Sequence, residues 1–330
     1  MLERLSDIHY TAEKLDPGGF LPADELPDRI GSDSLGGVPM SAPAVPPFWK
    51  CLAAECVGTF LLIFLGLGAV HSAVATGALT GLWQVAVVWG ISIMVAIYTI
   101  GSVSGAHINP AITIALATWN LFPRTRVGGY ILAQLVGAFA AAALLYALFW
   151  PFLADKERAH GVTRGTPESI ITAMCYGEYY PNPGSLAVEG QVVSRVDLEA
   201  HLARYSEASA FLAELAGTAI LAFMVVGITS RGNHAAPDKL SPAFIGLTVS
   251  GLICVLAPLT QACFNPARDF GPRLFAWVAG WGSAAIPGPN GRGFFTVYIV
   301  APVLGAIVGA GVYQLLFLQA EDSSDSDSTP

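Results

Sequence analysis

Apolar residues along the chain gather into six long blocks, at roughly 49–73, 81–102, 126–150, 207–230, 242–259 and 294–318. Polar and turn-forming residues separate them. A helix needs about 20 predominantly apolar residues to cross a hydrocarbon core, so each block reads as one span. Two of the links carry short apolar stretches of their own, at Ile112 to Trp119 and after Asn265. The link from Pro151 to Tyr205 is long and polar, contains Tyr180-Pro181-Asn182-Pro183, and ends in a short amphipathic stretch.

Composition strengthens the membrane reading. Residues of the AVILMFWYC set make up 54% and charged residues 12%, where soluble domains carry about 25% charged residues. Mean hydropathy is +0.58. Between Glu55 and Arg124 there is no Asp, Glu, Lys or Arg, which no soluble fold requires. The chain is expected to be an all-α, multi-pass integral membrane protein. Its net charge of −8 lies mostly in the ends and the long link, and no basic stripe points to nucleic acid. The five cysteines, Cys51, Cys56, Cys175, Cys254 and Cys263, are scattered through apolar segments. They read as small buried hydrophobes, with neither disulfide nor metal spacing. Residues 1–47 and the acidic stretch 320–330 have the composition of disordered tails.

The chain repeats itself. Glu55-Cys56-Val57-Gly58-Thr59, Asn109-Pro110-Ala111 and Gln134-Leu135-Val136-Gly137-Ala138 have counterparts in the second half. These are Glu214-Leu215-Ala216-Gly217-Thr218, Asn265-Pro266-Ala267 and Pro302-Val303-Leu304-Gly305-Ala306. Glutamate and asparagine are 54 residues apart in the first half and 51 in the second. Each half (about 49–150 and 207–318) holds three spans. An odd number turns the second half upside down, which predicts an inverted repeat with its pseudo-twofold axis in the membrane plane.

Each Asn-Pro-Ala begins a short helix, because asparagine is a strong N-cap and proline suits the first helical position. About 10 helical residues span about 15 Å, half a bilayer. Inversion brings the two re-entrant half-helices in from opposite faces with their N-termini meeting near the midplane. Irregular backbone at that depth must be buried in protein or line a wet cavity. The segments 101–108 and 260–264 are therefore expected to present carbonyls to a pore. Gly105, Ala106, His107 and Ile108 lie in the first; Gln261 and Cys263 lie in the second. Each helix N-terminus adds roughly half a positive charge at the midplane. Asn109 and Asn265 add amide donors that hold one oxygen from two sides. An oxygen held as an acceptor does not relay a proton, and the dipoles repel cations, so the geometry predicts selective passage of small neutral molecules.

Two Asn-Pro-Ala segments in matching places of an inverted repeat resemble the major intrinsic protein (aquaporin) family over about residues 49–318. Ser104 to Ala111, the run Asn265 to Phe275, and Asp269 directly after Asn-Pro-Ala-Arg resemble its glycerol-facilitator branch most closely. The resemblance implies an aquaporin-like channel domain over 48–319 that conducts glycerol, water and similar small neutral solutes passively. It also implies a homotetramer, no cofactor and no enzymatic activity. By the same resemblance, Trp89, Ile253, Ala262 and Arg268 form the selectivity constriction. The branch has glycine and an aromatic where this chain has Ile253 and Ala262. The ring Trp, Ile, Ala, Arg is closer to that of plant nodulin-26-like channels, which passes urea or metalloid acids into consideration beside glycerol.

Several of these residues also have plainer readings. Arg268 is either a fixed donor fork on the pore wall or half of a salt bridge with Asp269, or a headgroup anchor. Trp89 alone on a span is a packing or lipid-facing residue; the resemblance gives its ring to the carbon backbone of a polyol. His107 suits both a brace for its loop and a pore-facing carbonyl. Glu55 and Glu214, inside spans at matching places, are costly in a membrane and raise the prospect of proton coupling. Their placement favours loop support, accepting N–H groups that the irregular segments leave over, and Asp269 is read in the same supporting role. Cys263 sits near the pore by position only. A coupled secondary transporter requires a titratable residue on the transport path, and a membrane enzyme requires a nucleophile–base pair or metal ligands; the spans supply neither. Lys50, Arg124, Arg126, Arg231 and Lys239 flank spans on one face, which puts both termini in the cytoplasm of a plasma or bacterial inner membrane. Arg273 and Arg292 count against that assignment.

Overall fold

The computed structural model describes residues 46–230, 233, 235 and 238–317. Of the expected tails 1–47 and 320–330, residues 1–45 and 320–330 lie outside these residues, as does Arg231. Regular structure among the described residues is helical throughout, with six helices long and apolar enough to cross a membrane. They are α1 (Phe48–Val74), α2 (Leu82–Ser104), α4 (Val127–Ala159), α6 (Glu207–Thr229), α7 (Ser241–Thr260) and α9 (Ala301–Leu316, entered through further helical turns from Gly293). Two short helices follow the Asn-Pro-Ala segments: α3 (Pro110–Thr118, 9 residues) and α8 (Pro266–Ala276, 11 residues). An amphipathic helix, α5 (Arg195–Leu202), precedes α6.

Packing follows the inverted repeat. Helix α1 lies against α2 and α4 as α6 lies against α7 and α9. Each half-helix crosses to the other repeat, with α3 on α9 and α8 on α4. The axis passes between α2 and α7 at Gly90 and Gly246, which occupy the same place relative to Asn109 and Asn265. A methyl group on either would strike the other's carbonyl, so two glycines let the repeats touch backbone to backbone.

Two expectations need correction. Helix α4 does not stop before Pro151 but continues to Ala159 with the proline inside it. Its extra turns bury Leu153 and carry Glu157, which accepts bonds from Arg164 and from the Thr172 hydroxyl at 2.7 Å. Those contacts offset the hydrogen bond that proline cannot make. The long link is also no solvated loop: Ile170, Ile171, Cys175, Tyr176, Glu178 and Tyr179 are buried. It folds down over the end of α7, where Tyr179 N–H donates to Gln261 Oε1 and Asn182 Nδ2 to the Ala257 carbonyl.

Candidate permeation site

The backbone before each asparagine takes the same unusual course. Gly105, Ala106 and Ile108 have φ of 85°, 52° and 44°; Gln261, Ala262 and Phe264, at the same offsets, have 63°, 60° and 54°. Left-handed backbone is inexpensive at Gly105 but costs of order 1–3 kcal/mol at a bulky residue such as Ile108 or Phe264. Such a course leaves N–H groups without helical partners, and in each repeat the buried glutamate of the first span takes them. Glu55 accepts from His107 N–H (2.9 Å), Ile108 N–H (2.7 Å), the Ser104 hydroxyl (2.7 Å) and Gln134 Nε2 (2.8 Å). Glu214 accepts from Cys263 N–H (2.9 Å), Phe264 N–H (2.8 Å) and the Thr260 hydroxyl (2.6 Å). Ser104 and Thr260 in turn accept from Ala106 and Ala262 N–H. Tyr130 and Tyr298, also matched in the repeats, donate to the carbonyls of Ser104 and Thr260.

Asn109 and Asn265 cap the half-helices as their sequence predicts. Asn109 Oδ1 accepts from Ala111 N–H, and Asn265 Oδ1 from the N–H groups of Ala267 and Arg268. Pro110 and Pro266 stand at the first helical position. Each asparagine also reaches across: Asn109 Nδ2 donates to the Phe264 carbonyl (2.9 Å), and Asn265 Nδ2 to the Ile108 carbonyl (2.8 Å). One amide hydrogen of each ties the half-helices together, and the second remains for whatever occupies the adjoining cavity.

Two cavities flank this junction. One, of about 370 Å³, opens towards the face of Thr229 and Lys239 and is lined by Gly105, Ala106, His107, Ile108, Asn109, Ala262, Cys263 and Asn265. The other, of about 520 Å³, opens towards the face of Leu79 to Leu82 and the long link, and Gln261 lines it. Trp89, Ile253 and Arg268 line both. Three of the four residues assigned by resemblance to a constriction thus lie where the two cavities adjoin, and Ala262 lines the first cavity alone.

Two of them are in direct contact. The Arg268 guanidinium lies 4.4 Å from the centroid of the Trp89 ring. One face of the indole is thus covered by the guanidinium. Arg268 does not bridge to Asp269; it pairs with Glu178 of the long link. Asp269 instead binds Arg273, at 2.8 Å and 2.9 Å, and accepts the Glu178 N–H at 2.7 Å. Arg273 is therefore buried and does not face a membrane surface, so it no longer weighs against the orientation read from flanking charges. Burial pushes the Tyr179 phenol up to about 12 against the opposing pull of Arg273, leaving it a neutral donor to the Ala284 carbonyl.

His107 packs against Phe122 and Tyr130, with Nδ1 3.2 Å from the Thr113 hydroxyl. Cys263 is buried, its thiol directed at the Asn265 carbonyl. Sequence reasoning passed over Glu178, Gln134, Ser104, Thr260 and the two tyrosines. The last four had a signal, since each pair recurs at one offset in both repeats. Glu178 had none. No group of three or more His, Cys, Asp or Glu among the described residues has the geometry of a metal site.

Comparison with known proteins agrees with this architecture. A profile of the Major intrinsic protein family matches residues 44–313. The chain is similar to the glycerol uptake facilitator protein of Haemophilus influenzae, 40% identical over 269 residues, covering 80% of this chain and 94% of the relative. It is similar to the propanediol uptake facilitator of Citrobacter freundii, 39% identical, covering 81% and 91% respectively. Among solved structures, the aquaglyceroporin of Plasmodium falciparum superposes with a TM-score of 0.66 at 25% identity, covering 82% of this chain and 97% of that one. The chain is a member of the major intrinsic protein family.

Proposed function

We propose that the protein is a passive channel for glycerol and other small neutral solutes, water included, that excludes protons and ions. The observation carrying this is the junction of the two cavities. Trp89, Ile253 and Arg268 line both, with Asn109 and Asn265 on the wall of one. A solute entering from either face gives up its water at this junction and finds in exchange the guanidinium fork, the free amide hydrogens and the loop carbonyls. The apolar remainder of the wall suits the carbons of a polyol. Hydrogen-bond donation by both asparagines fixes a passing oxygen as an acceptor, which breaks a proton wire. Glu55 and Glu214 serve the loops, since their oxygens are engaged by the loop donors, and this supports a channel over a proton-coupled transporter.

Relatives named for glycerol and propanediol uptake support the solute class. Both termini are assigned to the cytoplasm of a plasma or bacterial inner membrane, and four copies, each with its own pore, form the assembly. A second reading, passage of urea or metalloid acids, is favoured by Ile253 and Ala262 in the constriction.

Stopped-flow light scattering on proteoliposomes tests the proposal, with glycerol, water and urea gradients. The wild type should dissipate a glycerol gradient rapidly, and Asn265→Asp should not, because it exchanges a midplane donor for a carboxylate. Water flux without glycerol flux sinks the glycerol assignment, and urea flux well above glycerol flux decides for the second reading. Uphill accumulation of solute sinks the channel.

A further inference from the structure

Over the start of α8 lies a buried cluster of two cations and two anions. Arg273 is bonded to Asp269 through Nε and Nη2. Arg268 is paired with Glu178, with side chains 5% and 0% exposed. The two pairs are joined through the backbone of Glu178, whose N–H donates to Asp269 and whose carbonyl accepts from Arg273. The Arg273–Asp269 pair thus holds the Glu178 backbone at both of its polar groups, and the carboxylate is presented to Arg268 from a fixed base. The formal charge of the cluster is zero.

Only one of the four lines the passage. Arg268 borders both cavities, whereas Glu178 borders neither. A guanidinium does not lose its proton in a protein, so its charge is offset only by a neighbouring anion. Without that anion the junction of the cavities would carry an uncompensated, desolvated cation. Such a site binds small anions and grips hydroxyl oxygens in charge-assisted bonds about twice as strong as neutral ones.

We propose that Glu178 is a specificity-determining residue of the passage: it cancels the charge of Arg268, so that uncharged solutes pass without competition from anions. It acts through Arg268 and so is a positioning and charge-compensating residue that need not touch the solute. The proposal rests on the channel reading above.

The test is glycerol flux into proteoliposomes holding equal amounts of wild type or Glu178→Gln, in gluconate and then in nitrate at one ionic strength. The wild type should give the same rate in both salts. Glu178→Gln should conduct glycerol more slowly, and nitrate should slow it by a further factor of about 3 or more, as expected of an anion held at an unpaired buried cation. Adding Arg268→Gln to that variant should abolish the nitrate effect. A role confined to holding the long link lowers every flux but creates no anion dependence. Glu178→Gln as indifferent to nitrate as the wild type overturns the proposal, as does nitrate sensitivity that persists in the double variant. Glu178→Ser, smaller and equally uncharged, carries the same test should the glutamine variant fail to insert. If the wild type conducts no glycerol, the channel assignment for that solute falls, while the nitrate response of water flux still decides the role of Glu178.

Discussion

The two ends of the passage are built on one backbone plan and differ in chemistry at two of four matched positions. Relative to Asn265, the constriction residues Ile253, Ala262 and Arg268 have as twofold mates Ile97, Ala106 and Ile112. Trp89 has Ile245. All four mates line the 370 Å³ cavity, and all are apolar. One end therefore holds an indole and a guanidinium where the other has Ile245 and Ile112, while Ile253 and Ala262 recur as Ile97 and Ala106. The cause is visible in the links. The end near Arg268 is roofed by the long buried link, which brings Glu178 to Arg268 and ties down the Asp269–Arg273 pair. That link joins the two repeats and so has no twofold mate, and no Asp or Glu lines the cavity at Ile112, so a charge there would have no partner. Symmetry sets where backbone goes; only the asymmetric insertion makes a buried cation tolerable.

The largest expected effect strikes what the halves share. Glu55→Ala and Glu214→Ala each leave two buried backbone N–H groups unpartnered at about 1–3 kcal/mol apiece, besides the lost hydroxyl bonds. Both should abolish recovery of folded protein in detergent, measured by size-exclusion chromatography. Normal recovery of either would show that the loops do not depend on their carboxylates.

The next effect separates the ends. Arg268→Ala should lower the glycerol-to-water permeability ratio about fivefold, the equivalent of about 1 kcal/mol lost from a polyol at its narrowest point. Ile112→Ala at the twofold mate should change the ratio by less than about twofold, since no polar contact is removed. Equal effects in stopped-flow measurements would mean that both ends discriminate.

An effect on stability rather than on selectivity distinguishes the loops. Gln134 binds both Glu55 and Thr113, whereas its mate is Pro302, so the first loop has a brace that the second lacks. Gln134→Ala should lower stability by about 1–2 kcal/mol, seen as a reduced thermal midpoint, with glycerol selectivity unchanged. Smallest of all, Gly105→Ala puts a side chain at φ 85° and should cost about 1 kcal/mol. Gln261 holds the matching position with a side chain, bonded to Tyr179 N–H and the Met174 carbonyl. An unshifted midpoint in Gly105→Ala would mean that the first loop needs its glycine no more than the second does.

The sequence by itself determined the membrane class, the six spans, the inversion of the repeats and the two capped half-helices. Each of these follows from hydropathy summed over about twenty neighbours or from a motif repeated at a fixed offset. It also placed Glu55 and Glu214 beside their loops, because a carboxylate in a span needs donors and the loops have donors to spare. Only the tertiary structure decided which charge meets which. Arg273 looked like a surface flank and is buried on Asp269; Arg268, read as a donor fork on the pore wall, pairs with Glu178 across about ninety residues of chain. Helix α4 runs past its proline because a distant stretch of the link packs on it. A lone charge has no periodicity, and its counter-ion is set by which loop covers it. Such pairings arise from the packing of remote segments rather than from any local pattern.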